Sequence, residues 1–420
     1  MRFVYICIAY LISPLWIGAL ALRGFRDRTH WQGFSQRFGL GPVVKEQRSI
    51  WVHAVSVGEV QAAVPLIEAL LKRFPGFPLV LTTVTPTGRS RAIALFGKRV
   101  DVRYVPIDLP GSVRRFFQRV RPQVAVILET EIWPNLYHRC GRMGVPLVLA
   151  SARISPRSVD SYRRLVGLFR ETLSHGIFIA AQSAEDAQRF VSIGASPTRT
   201  HVVGNIKFDF GYPPDMEARG HELRRLLGVH RPVWVAGSTH AVEEDDLITA
   251  HRLIRERFSN ALLVLVPRHP PRFAEVAAAL KARNVPFVTR TSGDAVSPNA
   301  QVFLLDTLGE LPPFYAAGDV AFVGGSLVPI GGHNLLEPAA LSLPIVAGPH
   351  NFNSADIAKM LVERGAVRIV QDAAGLATVV GDLLADPTAR TIMGASGKKA
   401  VDDNRGAVAR LMQFLEPLLP

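Results

Sequence analysis

Six segments place polar or ionisable residues directly after short apolar runs, where parallel-sheet proteins hold their ligands. In Trp51-Val-His-Ala-Val-Ser-Val-Gly-Glu59 a buried strand gives way to a helix start. A helix dipole favours a carboxylate there, so Glu59 reads equally as a cap and as a general base at the mouth of a cleft. In Val124-Ala-Val-Ile-Leu-Glu129-Thr-Glu131-Ile-Trp-Pro-Asn135 two carboxylates follow an apolar strand. If the strand continues they point the same way, and could bind a divalent metal, orient an acceptor hydroxyl or carry a shifted pKa. A solvated loop is the plainer reading, weakened by Trp133-Pro134. Gly204-Asn-Ile-Lys207-Phe-Asp209 offers Lys207 to a phosphate or a developing charge, or simply to solvent.

The second half of the chain has its own candidates. Ala236-Gly-Ser-Thr-His240 ends a strand and leads to Glu243-Glu-Asp-Asp246, read as a solvated helix start. Arg268 beside His269 suits an anion. Val320-Ala-Phe-Val-Gly-Gly-Ser, followed by Gly331-Gly332-His333-Asn334-Leu335-Leu336-Glu337-Pro338, reads as strand, glycine loop and helix start. Backbone N–H groups of Gly331, Gly332 and His333 are expected on a phosphate, and Glu337 on a ribose diol. The bland alternative is an Asn334/Glu337 capping pair. The chain has no G-x-x-x-x-G-K-[ST], no G-x-G-x-x-G after the first strand, no D-x-D and no H-E-x-x-H. P-loop and ordinary dinucleotide chemistry are therefore not expected, and neither is a zincin site.

These residues need strands and helices to position them. Apolar runs at Ile50–Val55, Leu79–Thr85, Val102–Ile107, Val124–Leu128, Leu147–Ala150, Ile177–Ala181 and His201–Val203 form one set. Runs at Val233–Ala236, Leu262–Val266, Phe287–Thr289, Val302–Leu305, Val320–Val323, Ile345–Ala347 and Arg368–Val370 form another. Helix-length segments such as Val60–Phe74, Glu185–Ile193, Glu243–Phe258 and Phe273–Ala282 lie between them. This alternation predicts two parallel sheets covered on both faces. Pro213-Pro214, Gly211 and Gly228 around a short charged helix, Met216–Leu227, suggest a linker over 211–230. It separates a first domain, 23–210, from a second, 231–420. The final helix, about Ala407–Leu415, is a candidate to pack back on the first half.

With 420 residues, 48% hydrophobic and 20% charged, the composition is globular and suits two domains. The net charge of +13 favours anionic partners. No reading helix or RNP-like aromatic motif occurs, so nucleic acid is not among those expected. Two cysteines, Cys7 and Cys140, exclude a disulfide framework and a Cys-based zinc site, and suit the reducing cytosol.

Phe3–Leu22 carries no charge, and twenty helical residues span about 30 Å, the thickness of a bilayer core. Residues 1–22 therefore read as a membrane anchor. Ala19-Leu20-Ala21 has the form of a signal-peptide cleavage site, but the run is longer than a usual signal core. Arg23, Arg26 and Arg28 also follow at once, which keeps the rest of the chain in the cytoplasm. A second membrane contact is open to Ser112-Val-Arg114-Arg115-Phe116-Phe117-Gln-Arg119-Val-Arg121. It is either a basic surface helix or an ordinary amphipathic helix burying its Phe pair.

Taken in order, His-Ala-Val-Ser-Val-Gly-Glu59, Glu129-Thr-Glu-Ile-Trp-Pro-Asn135, Gly-Asn205-Ile-Lys207-Phe-Asp, Gly-Ser-Thr-His240, Pro-Arg268-His269-Pro and Gly-Gly-His-Asn334-x-x-Glu337 closely resemble the 3-deoxy-D-manno-octulosonic acid (Kdo) transferases of Gram-negative bacteria. The resemblance covers nearly the whole chain; Pro338, where some members have another small residue, is a minor departure. It implies an α/β GT-B glycosyltransferase, two facing Rossmann-like domains with an N-terminal membrane-anchor helix. The implied reaction moves Kdo from CMP-Kdo to lipid IVA, the tetra-acylated lipid A disaccharide bisphosphate precursor, at the inner membrane and without cofactor or metal. By the same resemblance Glu59 is the general base, and Glu129 and Lys207 support the transition state. Arg268, His269, the loop Leu308-Gly309-Glu310, and Asn334, Leu335, Leu336 and Glu337 contact CMP. Two other classes remain open at this stage: a sugar-nucleotide epimerase of two-Rossmann design, and a non-catalytic, membrane-tethered lipid A-binding module.

Overall fold

Each of the fourteen apolar runs forms a strand in the computed structural model, which describes residues 2–45, 48–164, 166–173 and 176–419. The first seven are β1 Ser49–His53, β2 Leu79–Thr83, β3 Asp101–Tyr104, β4 Pro122–Leu128, β5 Leu147–Ala152, β6 Phe178–Ala181 and β7 Thr200–Val202. They make a parallel sheet of order β3-β2-β1-β4-β5-β6-β7. The other seven are β8 Val233–Thr239, β9 Leu262–Pro267, β10 Phe287–Thr289, β11 Val302–Leu304, β12 Val320–Val323, β13 Ile345–Ala347 and β14 Val367–Ile369. Their parallel sheet has the order β10-β11-β9-β8-β12-β13-β14. In the first sheet the chain winds outward through β2 and β3, then returns to β4 beside β1 and winds the other way. In the second it passes from β9 to the edge strand β10, fills the gap with β11, then returns to β12 beside β8 and winds the other way. The crevices outside β1/β4 and β8/β12 are thus the switch points at which such sheets bind ligands.

Helices cover both faces of each sheet, so successive strand residues enter different cores. In the first, Ile50, Val52, Val124 and Val126 join one core, while Trp51, Val80, Ala125 and Ile127 join the other. Trp51 stacks edge-on with Phe116 and Phe117, at 4.9 and 5.9 Å between centroids. The helix Pro110–Val120 therefore buries its Phe pair against the sheet rather than offering it to a bilayer. His53 is fully buried, its Nδ1 against the Thr82 carbonyl oxygen at 3.0 Å. Burial pushes its pKa down to about 4, which makes it a neutral stitch between β1 and β2.

Two boundaries differ from expectation. The stretch 211–230 does not behave as a linker but is built into the second unit, Gly211–Asp403. Its helix Met216–Leu227 lays Gly220 against Ala316 so closely that a Cβ would sit 2.7 Å from the Ala316 methyl. Arg224 donates to the Ala317 carbonyl and to Asp319, both at 3.0 Å. The segment expected as one helix, Val60–Phe74, is two, Val57–Ala62 and Val64–Arg73, because Pro65 removes a backbone donor at the junction.

The first unit comprises Met1–Phe210 with Asn404–Pro420. The helix Ala407–Leu415 sends Ala407, Leu411 and Leu415 into the core lined by Leu66 and Ile67. Asp209 caps it, accepting from the Gly406 N–H at 2.6 Å and from the Val408 N–H. The helix Arg2–Arg26, with Pro14 inside it, is long and apolar enough to cross a membrane. Asp209→Ala should cost the first unit about 1–2 kcal/mol, the usual value of an N-cap. Urea unfolding checks this, and limited proteolysis should cut first near Asn404.

Candidate active site

Glu59 stands in the first turn after β1. Its Oε2 accepts the Val55 N–H at 2.9 Å and its Oε1 faces the Ser56 hydroxyl at 3.4 Å. The carboxylate therefore does what a cap does, yet this does not use it up as a base. Burial raises its pKa to about 7. The Val55 hydrogen bond opposes the rise, Glu129 and Glu131 add to it, and Lys207 opposes it.

β4 ends at Leu128, and Glu129 takes a left-handed conformation with φ of 57°. Strand alternation therefore stops there, and the expectation that Glu129 and Glu131 point together through a continuing strand is not met. Glu131 turns to the Trp133 indole N–H, 2.8 Å away, and burial holds its pKa above the ordinary range. Glu129 receives Lys207 Nζ on Oε1 at 2.8 Å and Arg153 Nε on Oε2 at 3.2 Å. Burial works to raise the pKa of Glu129, but Lys207 and Arg153 outweigh it, so the net direction is down.

Lys207 is carried by the tight turn Ile206–Phe208. Asn205 Oδ1 caps the Lys207 N–H at 2.9 Å, and Asn205 Nδ2 donates to Gln182 at 3.0 Å. Gln182 in turn donates to the carbonyl of Ser151, another left-handed residue, φ 52°. Arg153, Ser151 and Gln182 were not singled out in the sequence. Ser151 is among the last residues of β5, and Arg153 and Gln182 directly follow β5 and β6; an apolar run that stops at Ala150 hides the first two.

In the second unit the loops after β8, β9 and β12 bring three imidazoles together. His240 and His333 lie nearly parallel, 4° apart, with Nε2 atoms 2.7 Å from each other. His269 meets His240 edge-on at 5.3 Å. Burial, then His240, Arg268 and His269, push His333 down to about 3. Burial, then His269 and Arg268, also lower His240. His240 and His333 are thus neutral in a cationic setting, which an anion would relieve.

The acidic run is solvated only in its second half, Asp245 and Asp246; Glu243 and Glu244 are buried. Glu243 is 0% exposed, and its Oε1 accepts the His240 N–H at 2.8 Å and the Gly325 N–H at 2.6 Å. It ties the two central loops of the sheet together, and burial raises its pKa to about 7. Glu244, also buried, takes the Thr239 hydroxyl and Arg272.

The glycine loop requires a correction. The N–H groups of Gly331 and Gly332 both donate to the Gly325 carbonyl, at 3.1 and 2.8 Å, and that of His333 to Gly324 at 3.2 Å. They are spent inside the loop and do not form the expected phosphate cradle. Sterics account for the glycines: a Cβ on Gly331 would lie 2.5 Å from Asn353, and one on Gly332 2.5 Å from Asn351. Both also have positive φ, 110° and 72°.

Among the other expected nucleotide contacts, Arg268 and His269 are exposed at the end of β9. Asn334 Nδ2 donates to Glu337 Oε1 at 3.1 Å and Asn334 Oδ1 accepts the Leu336 N–H at 3.1 Å, the geometry of a cap. Leu335 and Leu336 are buried, so they have only backbone to offer. Leu308 is exposed and Gly309 has φ of 85°. The Glu310 carboxylate is held by Arg290 at 3.0 Å and by Thr307, which keeps its pKa low.

Glu59→Gln isolates the cost of burying that carboxylate. A folded-state pKa of about 7 against an ordinary 4.5 means the stability linked to its proton is complete below pH 4.5 and lost as pH rises through 7. The variant should match the parent at pH 4 and exceed it at pH 8 by up to about 3 kcal/mol in urea unfolding.

A family model described as 3-deoxy-D-manno-octulosonic-acid transferase (kdotransferase) matches residues 32–210. The 3-deoxy-D-manno-octulosonic acid transferase of Haemophilus influenzae is 37% identical over 421 residues, covering 100% of this chain and 99% of its own. That of Bordetella pertussis is 38% identical over 382 residues, 88% of this chain and 87% of its own. Among solved structures, UDP-GlcNAc 2-epimerase from Neisseria meningitidis bound to UDP-GlcNAc aligns with a TM-score of 0.59. It covers 88% of this chain and 100% of its own, and at 12% identity the likeness is one of fold. Sequence identity of this extent goes well beyond a shared architecture, and the chain belongs to the 3-deoxy-D-manno-octulosonic acid transferase family of glycosyltransferases.

Proposed function

We propose that the enzyme transfers Kdo from CMP-Kdo to the 6′-hydroxyl of lipid IVA, with inversion and without metal, in lipopolysaccharide biosynthesis. The observation that carries this reading is Glu59: a half-buried carboxylate with a pKa of about 7, fixed by the Val55 N–H beside the Glu129–Lys207 ion pair. A sugar hydroxyl needs a base as it attacks, and a base is most effective when its pKa lies near the working pH. The acceptor O–H proton passes to Glu59, the oxygen bonds to the anomeric carbon of Kdo, and the bond from that carbon to the phosphate oxygen breaks. CMP departs with the electron pair, and a single displacement inverts the centre. Glu129 is not available as a metal hook, since Lys207 and Arg153 each engage one of its oxygens. Its role is to hold Lys207 and Arg153 in place near the developing charge.

The first unit is assigned the acceptor and the second the donor. CMP is assigned to Arg268, His269, the backbone of 308–310, and the 334–337 segment, with Glu337 on the ribose. With the backbone of 331–333 engaged, the phosphate is assigned instead to Arg268 and the imidazoles of His240, His269 and His333. The helix Arg2–Arg26 attaches the enzyme to the cytoplasmic face of the inner membrane, where the acceptor resides. The epimerase alternative has only the fold in its favour, and family membership sets aside a non-catalytic module.

Mass spectrometry of lipid IVA incubated with CMP-Kdo in excess EDTA tests the reaction, and a mass increase of one or more Kdo is expected. Activity lost to EDTA and restored by magnesium would sink the metal-free mechanism. Glu59→Gln should lower turnover about 10²-fold or more. In the parent, kcat/KM should rise with pH to a plateau above about 7, as the base loses its proton. Calorimetry with CMP should show Glu337→Ala weaker by about 1–3 kcal/mol, and equal affinity would remove Glu337 from the nucleotide site.

A further inference from the structure

The helix Arg2–Arg26 lies along the first unit rather than standing clear of it. Its less exposed positions recur every three or four residues, at Arg2, Tyr5, Ala9, Ser13, Ile17 and Leu20. Along that stripe Arg2 Nε donates to Asn135 at 3.3 Å, the Tyr5 hydroxyl to Asp108 at 2.9 Å, and Leu20 is buried. The opposite face is apolar, with Phe3, Leu11, Leu15, Leu22 and Phe25 between 69% and 79% exposed. A spanning helix would carry Arg2 about 30 Å away, to the far side of the hydrocarbon core. Contact with Asn135, a residue of the catalytic unit, does not allow that.

At the start of the same helix, Arg2, Arg114, His138, Arg139 and Arg142 line a surface pocket. Its walls are the helices Pro110–Val120 and Pro134–Arg142. Arg139 Nε is buried there, with no hydrogen-bond partner among the described residues. Among the described residues, the carboxylates that act on Arg2 are Glu171 and Asp108. Asp108 is already engaged by Tyr5 and by the N–H groups of Asn135 and Leu136. Guanidinium groups converging on one pocket match a phosphate, each able to give it two parallel hydrogen bonds. The pocket also adjoins an exposed apolar helix face, so the complementary molecule carries both a phosphate and acyl chains.

We propose that the helix lies in the plane of the bilayer surface and that the Arg2–Arg114–Arg139–Arg142 pocket takes the headgroup phosphate of an anionic phospholipid in the same leaflet. This rests on the membrane attachment proposed above. It goes further by fixing the helix's orientation and assigning a lipid site separate from Glu59 and the donor residues.

The test uses the full chain and vesicles of phosphatidylcholine with or without phosphatidylglycerol. Arg114→Gln/Arg142→Gln changes two exposed side chains. It should bind phosphatidylglycerol vesicles about tenfold or more weakly, at about 1 kcal/mol per Arg, and bind pure phosphatidylcholine as the parent does. Equal binding of variant and parent to both vesicles overturns the pocket assignment, whatever the variant does to turnover. Displacement of the parent by inorganic phosphate, beyond that caused by chloride at equal ionic strength, assigns the pocket to a soluble anion and also overturns it. Failure of the parent to bind either vesicle sinks the membrane reading itself. Orientation is read with nitroxide labels at Phe3→Cys, Leu11→Cys and Leu22→Cys, each in a Cys7→Ala background. In-plane placement gives all three the same depth, and a label at Leu11 far deeper than the other two overturns it. Loss of phosphatidylglycerol binding with an unchanged near-ultraviolet spectrum excludes misfolding as the cause.

Discussion

A carboxylate removed from water must be met by donors or give up its charge, and this fold places three of them at the ends of its central strands. Glu59 is met by one N–H and, at a longer 3.4 Å, by one hydroxyl, but among the described residues by no cation in contact, and its pKa is near neutrality. Glu129 is met by two cations and stays ionised. Glu243 is met by two N–H groups from different loops and becomes a clamp. Their different partners, more than residue type, set their charge states, and on the proposed mechanism they make Glu59 the base, Glu129 a counter-charge and Glu243 a structural clamp. The left-handed turn at Glu129 and the Ser151–Gln182–Asn205 relay serve to deliver these partners.

The second unit is organised by close backbone approach. Glycines let the loop after β12 fold on itself and sit against 348–353. A Cβ on Gly348 would fall 2.2 Å from the Ser326 carbonyl, and one on Gly324 2.5 Å from that of Ser238. This compaction brings His333 over His240 and consumes the N–H groups of 331–333. A glycine-rich loop at a strand end therefore need not be a phosphate cradle. The backbone it frees can be spent on the protein itself, leaving side chains to meet the ligand.

Much of this was legible in the sequence. Central strands buried on both faces leave continuous apolar runs, and the partly exposed edge strands β7, β10 and β14 are marked by short ones, so all fourteen are legible, and the residues after them include Glu59, Glu129 and Lys207. What the sequence did not reveal depends on tertiary placement. Nothing local distinguishes Glu243 from the exposed Asp245 two residues on, because only the fold puts Gly325 above it. Arg153 becomes informative once Lys207, far along the chain, is seen to share Glu129 with it. The supposed linker looked like one because Pro and Gly flank a charged helix, yet Gly220 is there to let that helix touch Ala316.

The two halves carry opposite electrostatic biases, and the proposed reaction needs both. Around Glu59 burial and two neighbouring carboxylates keep a proton affordable near neutral pH, so the base can accept one and release it later. Around His240 and His333 burial and nearby cations keep protons off, so the rings are neutral before an anion arrives. On the proposed mechanism the departing phosphate gains about one negative charge as the bond breaks, because a diester becomes a monoester. A cationic site whose imidazoles resist protonation when empty becomes more basic as that charge grows. Its interaction then strengthens towards the product side of the step, the direction that favours the transition state over the bound donor.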